Sequence, residues 1–476
     1  MKVILINPPT PKKEIWVREG RCQQFDIWGA PFPPLSLAYI AGQIKNIAEP
    51  LIIDSGPAKL DLKATLKIIK EFSPQLIIIS TATPTIDTDL NWFAKEVKDE
   101  NPNIKIAAIG IHVTTFPKET LRDFNCLDFV ICGEPEITTK ELIKTLIAKG
   151  DLTKVLGIAF RQNGKILTNP KREFIEDLDN LAFPYWPGVN FSNYKIPIIN
   201  KSFNLISFAR GCPFNCKFCN AHVYYGKRIR KRSPEKIIEE IQTNIENGIK
   251  DFLFWTEFVT ADREYLLKVL NLIKSKGLGK KIRWISNSRA DIIDFDLFKT
   301  MREAGCWQLA FGLEFGNNRI LQLAQKGPNA TVERGRKAVE NAAEAGIVVD
   351  GHFILGYPGE TEDTLCDTIN YALSLPLTFA HFYVATPFPG SELYQEAVQK
   401  KWLIDSNWRK ISQEIPNLNT PWLSPSIIKK YIGLAYRKFY WRPVTFWRIA
   451  KIAKNPSEFL NIIKLGVKFS RDLFKI

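Results

Sequence analysis

The chain has 476 residues, 45% apolar and 24% charged, which excludes a disordered polymer and exceeds one ordinary core, so two or three domains are expected. Eight cysteines in so long a chain, three of them clustered, argue against a disulfide framework and for a metal site in a reducing compartment, with the cytoplasm as the expected location. No apolar run reaches the ~18 residues that span a bilayer, and Met1–Pro9 leads into a strand-like run rather than a signal peptide.

Residues 1–150 alternate strand and helix patterns. The runs VILIN (3–7), PLIIDS (50–55), QLIIIST (75–81), IKIAAIG (104–110) and DFVICG (128–133) are short and β-branched, as strands buried on both faces should be. Five such units predict a doubly wound parallel sheet whose ligands lie beyond the strands' carboxyl ends. Residues 151–200 break the rhythm: GIAFRQNGKILTNPKR reads as a hairpin turning at Asn163-Gly164, and LAFPYWPG reads as a linker. From 201 to 400 the alternation resumes, with strands expected at 204–210, 251–258, 281–288, 307–315, 348–356 and 380–387. Six βα units predict an open partial (β/α)6 barrel with its active face at the carboxyl ends. Residues 401–476 lack this rhythm and read as basic, aromatic helix. Within them, 425–476 holds twelve Lys/Arg against Glu458 and Asp472, an asymmetry that suggests a polyanionic partner or a membrane surface.

The run ARGCPFNCKFCNAH places Cys212, Cys216 and Cys219 at C-x3-C-x2-C spacing directly after the first barrel strand. A [4Fe–4S] cubane normally takes four thiolates, so three leave one iron open to chelate a ligand. Zinc is the competing reading; it wants four ligands, and His222 is the fourth candidate nearby. The loop and its position after the first strand of a partial barrel resemble the radical SAM superfamily. That resemblance implies that the open iron binds the amino and carboxylate groups of S-adenosylmethionine. Reductive cleavage then yields methionine and a 5′-deoxyadenosyl radical, with an external one-electron donor such as ferredoxin or flavodoxin. Phe218 matches the family's aromatic before the last cysteine. Further matches follow at later strand ends: Glu257 in FWTEFVT for the methionine ammonium, and Ser286, Ser288 and Arg289 in SNSR, Arg289 facing the carboxylate. Glu314 in GLEFGNNRIL is then a ribose partner, and Gly356 in FILGYPGET lies near the adenine.

Residues 1–150 resemble the cobalamin-binding domain that precedes the barrel in one subgroup of that superfamily, through NPP at 7–9, PPLSLAYIAG at 33–42, GIHVTTFP at 110–117 and GEPE at 133–136. The resemblance implies cobalamin held by Ser80, Thr81 and Gly110, although Ile111 replaces the second glycine of the usual pair. No D-x-H-x-x-G histidine follows the first strand, so cobalt would have no histidine from that position. His112 reads as a loop histidine. Cys22, Cys126, Cys132, Cys306 and Cys366 read as small buried hydrophobes, and Lys227, Arg228, Arg230, Lys231 and Arg232 as a solvated loop edge.

Two functions fit these features: a cobalamin-dependent methyltransferase acting on an unactivated carbon, and a cyclase or rearrangement enzyme of the same subgroup, similar to the anaerobic cyclase of chlorophyll synthesis. A tRNA methylthiotransferase is disfavoured, because its extra cysteine triplet and terminal β-barrel are missing, so nucleic acid is not the expected partner. A bare corrinoid carrier would not need the cysteine loop. The aromatic and basic tail has the pattern of an interfacial membrane segment with Pro443 breaking its helix; a helical pair packed on the barrel is the alternative. A membrane contact would favour a lipid or tetrapyrrole substrate.

Overall fold

The computed structural model describes residues 1–12, 14–19, 30–405 and 407–473. Cys22 lies outside the described residues. The chain folds as two compact units: Met1–Tyr194 with Asn220–Gly226 and Asn407–Ser412, and Lys195–Cys219 with Lys227–Ser406 and Gln413–Ile476.

The first unit is built on strands β1 (Lys2–Asn7), β2 (Glu49–Asp54), β3 (Leu76–Ser80), β4 (Lys105–Ile109), β5 (Phe129–Ile131), β6 (Ile158–Gln162) and β7 (Lys165–Thr168), with helices α1 (Leu35–Ile44), α2 (Leu62–Phe72), α3 (Lys95–Glu100), α4 (Ile111–Thr115), α5 (Pro117–Asp123), α6 (Pro135–Ile147) and α7 (Ala221–Tyr225). The sheet order is β2-β1-β3-β4-β5-β6-β7, parallel from β2 to β5. Alternate residues of β1 and β3 enter two separate cores: Ile4, Ile6, Ile77 and Ile79 on one face, Val3, Leu5, Leu76 and Ile78 on the other. Burial on both faces is why these strands read as continuous apolar runs. The order reverses at β1 and β3, which makes the carboxyl ends of those strands the switch point where such sheets bind ligands.

The hairpin turning at Asn163-Gly164 pairs β6 antiparallel to β5 and so extends this sheet. The stretch expected to be a linker is also packed: Pro187 accepts from Ile52 N–H at 2.9 Å, Trp186 and Val189 lie against the core, and Tyr194 is buried. The edge strand β2 has unpaired amides that need a cover, and the proline-rich segment supplies it without forming a strand.

The second unit holds β8 (Lys195–Ile196), β9 (Lys201–Ser207), β10 (Ala209–Arg210), β11 (Arg230–Lys231), β12 (Asp251–Trp255), β13 (Arg283–Arg289), β14 (Cys306–Glu314), β15 (Val348–Leu355) and β16 (Phe379–Val384). Its main sheet runs β16-β15-β14-β13-β12-β9-β8, six parallel strands in sequence order with β8 antiparallel at one edge. The connections are α8 (Pro234–Glu246), α9 (Arg263–Ser275), α10 (Phe295–Glu303), α11 (Asn318–Leu323), α12 (Val332–Glu344) and α13 (Glu362–Ser374), followed by α14 (Glu392–Gln399), α15 (Pro425–Tyr440), α16 (Pro443–Ala450) and α17 (Pro456–Leu473). This is the open six-strand half-barrel with a helical tail, and Pro443 opens α16, as its ring suits a first helical turn.

The basic run at 227–232 is a solvated edge only in part: Lys227, Arg228 and Lys231 are exposed. Arg230 and Arg232 are buried; Arg232 pairs with Glu240 and donates to the Ser207 carbonyl, while Lys231 pairs with Asp262 at 2.6 Å. Among the lone cysteines, Cys306 is buried, Cys126 and Cys132 are partly buried, and Cys366 is exposed. Burial pushes the Cys126 thiol up to about 11 and Cys132 up to about 12, which leaves both as inert apolar groups. No helix among the described residues is long and apolar enough to cross a membrane.

Candidate functional site

Cys212, Cys216 and Cys219 lie in the loop after β10; Cys216 is buried, the other two are half-buried, and none forms a disulfide. Later elements pin this loop. Lys217 N–H donates to the Ala324 carbonyl at 3.0 Å, Leu393 N–H to the Lys217 carbonyl at 2.9 Å, and Cys219 N–H closes the turn onto Cys216 at 2.9 Å. Two phenylalanines carry the loop onto the strand ends. Phe214 lies beneath the Arg289 guanidinium at 3.5 Å and beside Phe258 at 5.7 Å, while Phe218 meets Phe315 and Tyr357 edge-on.

The ends of β13 and β14 bring charge to the same place. Arg289 makes a bidentate contact with Asp291 and donates to the Lys326 carbonyl at 2.6 Å. Its Nη1 has no protein partner among the described residues. Lys326 pairs with Glu314 at 2.5 Å, and both side chains are buried. Burial pulls the Lys326 ammonium down, but Glu314 and then Cys216 more than restore it, so its proton is held above the ordinary lysine range. For Arg289, burial is likewise outweighed by Asp291, with Cys216 and Cys212 adding to the effect. Two fixed cations beside the cysteine sulfurs are what thiolate ligands need. Three closely spaced cysteines in a charge-compensated, partly buried loop therefore fit a cluster with one iron left open.

The other expected residues fall at successive strand ends. Glu257 is half-buried just beyond β12. Ser288 is buried and shares a 2.8 Å hydrogen bond with Thr260. Glu314 ends β14 with φ +63°, in the left-handed region that non-glycine residues seldom enter. Gly356 (φ +85°) lies where an added Cβ would stand 2.6 Å from Ile428 of α15, so packing by the C-terminal helix already requires a glycine there. Glu360 accepts from the amides of Gly356 and Tyr357 at 2.7 and 2.8 Å; burial pushes its carboxyl up to about 8. Asp291 and Lys326 were not foreseen. Asp291 stands two residues from Arg289, which is a usable signal, whereas nothing in the spacing of Lys326 points to Glu314.

In the first unit, Asn7 Oδ1 and Thr81 Oγ1 are buried without a hydrogen-bond partner among the described residues. They end β1 and begin the loop after β3, so both stand at the switch point. Orphaned buried polar atoms call for a ligand or water, and with Ser80 beside them they fit the polar tail of a nucleotide-like cofactor such as cobalamin. Gly110 (φ +129°) has its own constraint, because an added Cβ would lie 2.0 Å from the Thr81 carbonyl oxygen. Ile111 therefore opens α4 beside a glycine that lets two loops touch. His112 sits in that short helix rather than in a loop. Its ring is buried edge-on against Trp408 at 4.5 Å and Phe116 at 5.6 Å, and burial lowers it to about 4, so it is neutral near pH 7.

Known proteins join the same two parts. Residues 206–372 match the radical SAM superfamily, and residues 28–143 match the B12 binding domain. An uncharacterized methyltransferase of Pyrococcus horikoshii is 34% identical over 444 residues, 93% of each chain. The anaerobic magnesium-protoporphyrin IX monomethyl ester cyclase of Cereibacter sphaeroides is 26% identical over 428 residues, covering 88% of this chain and 69% of that one. The cobalamin-dependent S-adenosylmethionine radical enzyme OxsB, solved with aqua-cobalamin and S-adenosylmethionine bound, shares the fold with a TM-score of 0.73 at 14% identity, over 99% of this chain and 71% of that one. Fold and site together define an iron–sulfur enzyme that cleaves S-adenosylmethionine reductively and carries a cobalamin-binding domain. The chain belongs to the radical SAM superfamily, in the group with an N-terminal B12-binding domain.

Proposed function

We propose that this enzyme methylates an unactivated carbon of a lipid, tetrapyrrole or other small metabolite. The observation that carries the reading is the presence in one chain of a three-cysteine loop backed by Arg289 and Lys326 and of a switch point with two orphaned polar atoms. The likeness to the Pyrococcus methyltransferase along 93% of both chains supports it. When bound, the cluster and S-adenosylmethionine supply hydrogen abstraction and cobalamin supplies the methyl group; an sp³ carbon has no lone pair with which to attack a sulfonium directly.

The chain's own contribution is holding and orienting. Cys212, Cys216 and Cys219 ligate three irons. Arg289 offers Nη1 to the methionine carboxylate, and Phe214 and Asp291 keep its plane fixed; Glu257 takes the methionine ammonium. Glu314 faces the ribose, Lys326 fixes its carboxylate, and Ser288, Phe218 and the Gly356 loop line the remainder. Ser80, Thr81 and Gly110 receive the cobalamin tail. An electron comes from a ferredoxin- or flavodoxin-like donor in the cytoplasm. The exposed Trp441, Phe446 and Trp447, set among Arg437, Lys438 and Lys451, rest on an anionic membrane surface, which favours an apolar substrate.

A second reading, ring closure without methyl transfer, is favoured by the likeness to the magnesium-protoporphyrin cyclase over 88% of this chain. One experiment separates the two. The anaerobically reconstituted enzyme is given S-adenosylmethionine labelled in its methyl group, a reductant and a lipid and pigment extract. Methyl transfer predicts 5′-deoxyadenosine together with label in an extractable product heavier by one methylene. 5′-Deoxyadenosine with no labelled product would overturn it in favour of ring closure.

A further inference from the structure

On the inner face of the half-barrel, on β15 and β16, four and five strands along the sheet from β9, which leads to the cysteine loop, three metal-binding side chains converge. Asp350 and His352 alternate along β15, and His381 stands beside His352 in the register of β16. The residues that follow each histidine face the other way: Phe353 and Phe382 pack on Tyr371 of α13 and Tyr436 of α15. The polar set therefore lies on the face opposite the helices, inside the curve of the sheet.

We propose that Asp350, His352 and His381 form a binding site for a divalent first-row transition ion. Their ligand atoms all lie within 4.8 Å of one another. The Nε2 atoms of both histidines point at the same oxygen, Asp350 Oδ2, at 3.2 Å from His381 and 3.8 Å from His352. A hydrogen bond accounts for the first contact. The second is too long for one, and among the described residues the His352 ring has no hydrogen bond elsewhere. Ligands about 2.1 Å from a shared ion stand roughly 3–3.5 Å apart, so both spacings are close to the edges of a coordination polyhedron.

The carboxylate points the same way. Asp350 is buried and its Oδ1 has no partner among the described residues, an arrangement that costs free energy unless a cation or donor meets it. Around the three ligands is a supporting layer. Gln308 reaches Asp350 Oδ2 at 3.4 Å, and Tyr383 stacks on His381 and meets His352 edge-on, which fixes the ring planes as outer partners of metal ligands do. His352 is 32% exposed, so an ion can enter and one side stays open. Two imidazoles and one carboxylate suit zinc, iron(II) or cobalt(II) rather than magnesium or calcium. Three protein ligands leave at least one position for an oxygen donor, a carboxylate or phosphate group of a molecule in the barrel. This site does not depend on whether the enzyme transfers a methyl group.

Zinc is the probe that tests it. Untagged full-length protein, reconstituted anaerobically with iron and sulfide so that the cysteine loop is filled, is equilibrated with one equivalent of Zn²⁺, passed over a desalting column and examined by zinc K-edge absorption. The expected result is about one zinc per chain in a nitrogen and oxygen shell with imidazole scattering. His352→Ala and, separately, the near-isosteric Asp350→Asn should each weaken zinc binding by more than about tenfold while the cluster absorbance and circular dichroism persist. Loss of all zinc on the column, a sulfur shell, or retention unchanged in both variants would overturn the proposal. Should either variant fail to fold, the wild-type spectrum decides alone.

Discussion

Glu314 stands in a left-handed conformation that costs a non-glycine residue about 1–3 kcal/mol. The backbone holds it there at a break in register between β14 and β15, and the 2.5 Å contact with Lys326 fixes where its carboxylate points. Removing one partner from a buried pair leaves a charge unpaired, at a cost of about 3–5 kcal/mol. Lys326→Met should therefore lower the unfolding midpoint sharply, and adding Glu314→Gln should recover most of the loss; a single variant as stable as wild type would show the pair to be idle. His112 makes a second, pH-dependent case. Its folded-state pKa, about 4, is below the ordinary imidazole value. The unfolded chain thus takes up the proton first, and stability is lost as pH falls from about 6.5 to about 4, by up to about 3 kcal/mol. Wild type and His112→Phe, compared by denaturant unfolding across that range, should diverge in this sense; parallel profiles would mean the ring is accessible to water. At this scale the cysteines were legible because three of one rare residue at fixed spacing carry their own meaning. Lys326 was not, since its role depends on a contact twelve residues away, across α11.

Edge strands show how elements complete one another. β16 ends the half-barrel sheet, and its outward amides would be bare. Tyr440 accepts from Ala380 N–H at 3.1 Å and donates to the Ala380 carbonyl at 3.0 Å; Tyr436 does the same for Phe382 at 3.1 and 3.3 Å; the Gln413 carbonyl takes Val384 N–H at 3.0 Å. Two tyrosines one helical turn apart on α15 thus replace a missing strand, which protects the edge from pairing with another chain. Phenylalanine at 436 or 440 strands a buried amide and carbonyl, each substitution costing about 1–3 kcal/mol. The double variant should also self-associate; a monomer with unchanged stability would refute this role. The strands were legible from their β-branched runs, and the tail from its lack of them. The division of labour within the tail was not legible: α15 packs on the barrel, and Arg442 and Arg448 spend their charge on the carbonyls of Leu373, Leu375 and Leu377. At 181–188 the same proline and aromatic composition that joins hairpin to barrel also suits a cover for β2.

For the molecule as a whole, what remains exposed matters most. Trp441, Phe446 and Trp447 are 57%, 47% and 64% exposed, beside lysines and arginines, as interfacial binding requires. Because α15 holds the barrel edge, truncation at 425 would damage the fold, and point variants are the better test. The full chain should float with vesicles of phosphatidylcholine and phosphatidylglycerol, and the triple serine variant at 441, 446 and 447 should not; equal flotation would remove the membrane contact. One chain thus joins an open-iron cluster to a cobalamin site. Anaerobic reconstitution with iron, sulfide and hydroxocobalamin, followed by gel filtration, metal and corrinoid analysis and assay with S-adenosylmethionine and reductant, tests it directly. Wild type should hold one [4Fe–4S] cluster and one cobalamin per chain and release 5′-deoxyadenosine, and a triple Cys→Ala variant at 212, 216 and 219 should lose cluster and cleavage while retaining the corrinoid. A wild-type chain that retains no corrinoid, or a triple variant that still cleaves S-adenosylmethionine, would contradict it.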